Sequence, residues 1–110
     1  MLPEIDQQQL AQVRAAAAVV VVDVREAEEY RAGHVPGARL IPLKVLGARM
    51  HEVPRDTPVY VVCQSGGRSA QATRMLLGAG IRAVNVRGGT AAWIQDGQPV
   101  ERGIGTEATR

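Results

Sequence analysis

Cys63 is the one cysteine of the chain, and Gln64, Ser65, Gly66, Gly67, Arg68 and Ser69 follow it. Paired glycines let a backbone curl tightly and take positive φ without steric cost. A curled loop turns successive amide N–H groups inward and forms a nest for negative charge. Where such a loop enters a helix, the unpaired N–H groups of the first turn and the helix dipole add to that field. A cysteine at the base of the cradle has its thiolate favoured, and the thiolate is the nucleophilic form. Arg68 is charged at any working pH and adds attraction for an anionic substrate. The spacing points to covalent chemistry at sulfur, with Cys63 as nucleophile and residues 64–69 as its binding cradle. The competing reading, an inert small hydrophobe at a strand end, leaves the glycine pair and Arg68 unexplained.

The elements that must hold this loop are legible from periodicity. Val59, Tyr60, Val61 and Val62 form a continuous apolar run that stops at Cys63, and residues 19–24 form a second, almost unbroken one that contains Asp23. Continuous rather than alternating apolar residues indicate strands covered on both faces, as in a parallel sheet. Further short strands are expected at 39–41 and 83–86. Asp6 reads as a helix N-cap with Gln9 closing a capping box, and Leu10, Val13 and Ala17 share the face that follows. Residues 26–33 form a short helix with acids first, Arg31 late and Gly33 as a stop. Leu43, Leu46 and Met50 mark a third helix, and residues 54–58 a turn. A fourth helix begins at Ser69, with Ala72, Met75, Leu76 and Ala79 on one face. Gly88 and Gly89 lead into a short helix holding Trp93. The result is an α/β domain with a parallel sheet and helices on both faces. In such sheets ligands gather beyond the carboxyl ends of the strands, where Cys63 lies. The expected activity requires that its sulfur be open to water there, with the peptide hydrogens turned inward.

At 110 residues the chain has room for one domain, expected over residues 1–103, with 104–110 as a flexible C-terminal tail and fraying from Gly97 onward. A 45% hydrophobic and 22% charged composition excludes a disordered chain, a collagen-like repeat and a coiled coil. One cysteine excludes an intramolecular disulfide framework and a thiolate metal cluster, and the two isolated histidines give no ligand spacing. No metal and no organic cofactor are expected. Net charge is +2, but the arginines are scattered and aromatics are 3%, which argues against nucleic-acid binding. The longest apolar run, residues 15–22, is too short for a membrane span. The acidic amino terminus carries no secretory pattern, so a cytoplasmic protein, monomeric or weakly dimeric, is expected.

Other candidates have structural readings beside the functional ones. Arg25 could steer anions, or pair with Glu29 or another nearby acid while Asp23 bonds loop amides. His34 could be a general base, but it precedes a Val-Pro-Gly turn and reads as a structural hydrogen-bonding group. His51 reads as a surface residue near a helix end, and Trp93 as a core anchor beneath the site. Ser69 is as readily an N-cap as a substrate ligand. Arg74, Arg82 and Arg87 read as solvated.

Several blocks taken together resemble a known family. They are Asp23-Val24-Arg25, Glu29-Tyr30, Gly33-His34-Val35-Pro36-Gly37-Ala38, Ile41-Pro42, Cys63-x-Ser65-Gly66-x-Arg68-Ser69 and Gly88-Gly89-x-x-x-Trp93. In this order, over roughly residues 5–103, the chain resembles a single-domain rhodanese. The resemblance implies a five-stranded parallel sheet and a catalytic cysteine that carries sulfane sulfur as a persulfide. The donor would be a small anion such as thiosulfate, and the acceptor cyanide, a thiol or a protein thiol. Cys63 to Arg68 is C-x4-R, whereas the related phosphatases and some arsenate reductases use C-x5-R, a wider bowl suited to tetrahedral phosphate. Two alternatives stay open: a persulfide carrier supplied by a desulfurase, and a regulatory module whose thiol senses oxidants.

Overall fold

Successive residues of the strand before the cysteine point alternately into two separate cores. Val59, Val61 and Cys63 pack with Ala72, Leu76 and Leu46. Tyr60 and Val62 face the other way, toward Leu10, Tyr30 and Trp93. A strand whose two faces are both buried must be apolar at every position, which is why this one shows no alternation. Each large side chain so buried contributes roughly 1.5–3 kcal/mol.

The computed structural model describes residues 2–104. The elements run β1 (Glu4–Asp6), α1 (Gln7–Ala16), β2 (Val20–Asp23), α2 (Ala27–Ala32), β3 (Arg39–Leu40), α3 (Leu43–Arg49), β4 (Val59–Val62), α4 (Gly67–Gly78), β5 (Ala83–Arg87) and α5 (Gly89–Gln95). The strands form one sheet in the order β1-β5-β4-β2-β3, parallel at every pairing. β4 is central: Val61 sits opposite Val22 on one side and Asn85 on the other. Helices α3 and α4 cover one face, and α1, α2 and α5 the other. The α/β class, the parallel sheet of five strands and the two helical layers agree with the sequence reading. The chain travels outward from β2 to β3, returns to β4 and continues to β5 on the opposite side. This reversal leaves a crevice at the carboxyl end of β4.

Four details differ from expectation. The residues of β1 mix charge with a single Ile5, and pairing alone makes them a strand: Glu4 opposes Asn85, Ile5 opposes Val86 and Asp6 opposes Arg87. Helix α3 stops at Arg49, and Met50 belongs to a 3-10 turn over Met50–Glu52. Helix α4 starts at Gly67 rather than Ser69, because Gly66 takes φ +108° and turns the chain two residues earlier. The segment from Gly97 to Gly103 is tied down rather than frayed. The His34 and Glu101 amides each donate to the other's carbonyl at 2.9 Å, Gly103 N donates to Arg31 O at 2.9 Å, and Trp93 Nε1 donates to Pro99 O at 2.7 Å. Residues 105–110, where the rest of the expected tail lies, are outside the described residues. Asp6 caps α1 with the reciprocal Gln9 bond as expected. No helix among the described residues is long and apolar enough to cross a membrane.

Candidate active site

The loop between β4 and α4 closes on the sulfur it carries. Gly66 N–H donates to Cys63 Sγ at 3.1 Å. The amides of Ser69 and Ser65 add to the stabilisation of the thiolate. Burial pushes the thiol pKa up; the Ser69 hydroxyl and these three amides outweigh it and hold it below the ordinary cysteine value. The Gly66 peptide hydrogen therefore faces the sulfur. The expected exposure is not found: Cys63 is 1% exposed. Its carbonyl accepts from Thr90 N at 2.8 Å, and the Gln64 carbonyl from Ala91 N at 3.0 Å, so the first turn of α5 clamps the loop's base over the sheet end. Gly89 makes that approach possible. A Cβ there, at φ +58°, would lie 2.6 Å from the Cys63 carbonyl oxygen and 2.8 Å from that of Gln64.

Ser69 is not the N-cap of α4, a place that Gly66 takes. It is the third residue of α4, fully buried, and its hydroxyl donates to Asn85 Oδ1 at 2.6 Å. Asn85 Nδ2 in turn donates to Glu4 Oε2 at 2.8 Å. A hydroxyl has one proton, so Ser69 serves Asn85 or the sulfur, not both at once. While it serves Asn85, the amides alone hold the thiolate. Asn85 and Glu4 thus belong to the site's support, although neither stood out in the sequence reading. The available signal was an asparagine between Val84 and Val86 in a strand, since a polar residue so buried needs partners.

Both arginines beside the loop are occupied. Arg25 bonds the Asp23 carboxylate through Nε and Nη2 at 2.8–3.1 Å, Gly33 O at 2.9 Å and Gln64 Oε1 at 3.1 Å. Asp23 also accepts from the Arg25 amide at 3.1 Å. The partner of Arg25 is therefore Asp23, and Glu29 goes to Arg68 instead, in a two-pronged pair with both contacts at 2.8 Å. That pair holds the Glu29 carboxyl down at about 2, against the opposing effect of burial. Gln64 and Arg25 meet at the loop's outer side, while Gly67 opens α4. His34 is fully buried and stacked on Tyr30 at 3.6 Å, with Nδ1 2.7 Å from Tyr30 O, so it is structural. Trp93 is 1% exposed in the core beneath α1, with the Arg14 guanidinium 5.4 Å from its ring. Among the described residues no group of His, Cys, Asp and Glu is placed to hold a metal ion.

Residues 6–96 match the model of the rhodanese-like domain. The chain belongs to the rhodanese-like family. It is 39% identical over 102 residues to a sulfurtransferase from Allochromatium vinosum, covering 91% of this chain and 95% of that one. It is 36% identical over 94 residues to a putative sulfur carrier protein of Bacillus subtilis, covering 84% of this chain and 51% of the relative. A rhodanese-related protein from Thermoplasma volcanium superposes with a TM-score of 0.85 at 33% identity, over 90% of this chain and 97% of that one.

Proposed function

We propose that the chain is a sulfurtransferase that carries sulfane sulfur as a persulfide on Cys63. The observation that supports this most directly is the 3.1 Å Gly66 N–H to Sγ contact inside an inward-facing amide loop. In the first half-reaction the Cys63 thiolate attacks the outer sulfur of a donor. The new Sγ–S bond forms as the donor's S–S bond breaks, and with thiosulfate the electron pair leaves on sulfite. The loop amides of residues 64–69 then hold the negative charge on the terminal sulfur, a fixed field that needs no reorganisation. In the second half-reaction cyanide or a thiol attacks that sulfur and the Cys63 thiolate departs. This is covalent, ping-pong chemistry. With one cysteine in the sequence, the acceptor must be another molecule. The relative named as a putative sulfur carrier favours a second reading of the same site, in which a protein donor loads Cys63. A reducing, cytoplasmic setting suits either.

Burial sets a condition: with Cys63 1% exposed, a donor reaches the sulfur only when the structure around it opens. Intact-mass measurement after incubation with thiosulfate should show one added sulfur atom, removed by cyanide or thiol and absent in Cys63→Ala. A native protein that gains no sulfur from any donor, and whose thiol resists iodoacetamide, would end the proposal.

A further inference from the structure

A line of hydrogen bonds joins the edge of the sheet to the cysteine loop. Asn85 of β5 and Ser69 of α4 are 1% and 0% exposed, and Glu4 of β1 lies opposite Asn85 in the parallel register. Ser69 Oγ donates to Asn85 Oδ1 at 2.6 Å, and Asn85 Nδ2 donates to Glu4 Oε2 at 2.8 Å. The Glu4 side chain is 34% exposed. The line therefore begins at water and ends beside Cys63, whose thiolate the Ser69 hydroxyl favours.

The chemistry of each member sets its direction. A carboxylate only accepts, so the Asn85 NH2 faces Glu4 and its carbonyl faces Ser69. A carbonyl also only accepts, so the Ser69 hydroxyl offers its single proton there. Turned over, the amide would donate from its NH2 to Ser69 Oγ, and the hydroxyl proton would be left for the sulfur. The Asn85 carbonyl would then face the Glu4 carboxylate, two acceptors with no proton between them, which is costly where water is scarce. The Glu4 charge thus selects between the two orientations. The charged groups beside Glu4 are Arg87, with Nη1 3.4 Å from Oε1, and Asp6, 3.9 Å from Arg87 Nη2. At the other end Arg68, paired with Glu29, acts on the sulfur.

Deepening the reading in which Cys63 is the reacting atom, we infer that Glu4 is a positioning residue for it. Its charge fixes the Asn85 amide and so weights the Ser69 proton toward Asn85 and away from the sulfur. A residue on the edge strand β1 thereby tunes a nucleophile that follows the central strand β4.

The test titrates the Cys63 thiolate by its ultraviolet absorbance, each protein being read against its Cys63→Ala counterpart. Alkylation by iodoacetamide is followed over the same pH range. Glu4→Gln keeps the side chain's length and an acceptor but can also donate, so either orientation of the amide is paired. The thiolate should form at lower pH than in the wild type. Alkylation at a fixed pH below the plateau should be about tenfold faster, the scale of one hydrogen bond to a charged group. Glu4→Ala, which removes the acceptor, should move both readings the same way. In a Ser69→Ala background Glu4→Gln should change neither, since the hydroxyl that carries the effect is gone. An unmoved or higher midpoint in folded Glu4→Gln and Glu4→Ala overturns the inference and leaves Glu4 as a staple between β1 and β5. An equal shift in the Ser69→Ala background also overturns it, because the lost charge would then act through space alone. The titration uses no sulfur donor, so the inference and the persulfide reading fail or stand separately.

Discussion

The Ser69 hydroxyl stands between a sulfur that gains from its proton and an asparagine oxygen that holds it at 2.6 Å. Two substitutions should therefore move the cysteine in opposite directions. Ser69→Ala removes the hydroxyl and should raise the thiol pKa. Asn85→Ala frees the hydroxyl to donate to the thiolate and should lower it. Alkylation or sulfur loading rises with pH as the thiolate forms and levels off above the pKa. The wild type should level off at a lower pH than free cysteine, Ser69→Ala at a higher pH than the wild type, and Asn85→Ala at a lower one. At a fixed pH below the plateau, Ser69→Ala should load about tenfold more slowly, the scale of one hydrogen bond to a charged group. Shifts of the same sign in both variants would show that Asn85 does not compete for the proton. Cys63 and its loop were legible because residue type and spacing alone imply an anion nest. The partner choices were not: which carboxylate meets Arg25 and which meets Arg68 depends on how α2 sits over the sheet, and no spacing encodes that.

Two glycines at the ends of different elements give the loop its shape. Gly66 at φ +108° lets α4 begin early enough for its first amides to face the sulfur. Gly66→Val has space for its Cβ, with the nearest atom at 3.5 Å, but forces a branched residue into a conformation costing about 1–3 kcal/mol. It should fold and lose sulfur loading. Gly89→Ala meets backbone oxygens at 2.6 and 2.8 Å, so strand end and helix must separate. It should cost about 1–3 kcal/mol, read as a lower denaturant midpoint, and also abolish loading. A loaded Gly66→Val protein would mean that the amide geometry is not what holds the sulfur. Periodicity located most helices and strands to within a residue or two, because buried faces dictate it. It missed the start of α4, where a glycine's φ rather than a side-chain pattern sets the boundary.

β4 is the middle strand of the sheet, two strands from either edge, so the proposed nucleophile follows the strand farthest from both edges. The two outermost strands are short, three residues in β1 and two in β3. β1 was invisible in the sequence because Glu4, Ile5 and Asp6 have no strand pattern of their own and are recruited by the five residues of β5. That recruitment leaves a charged, three-residue rim where β5 would otherwise present an unsatisfied ladder, the usual template for adhesion between chains. A version lacking residues 1–6 should accordingly form concentration-dependent assemblies in light scattering, whereas the intact chain scatters as a single species. The acidic strand Glu4–Asp6 would then be a solubility device as well as a brace for Asn85.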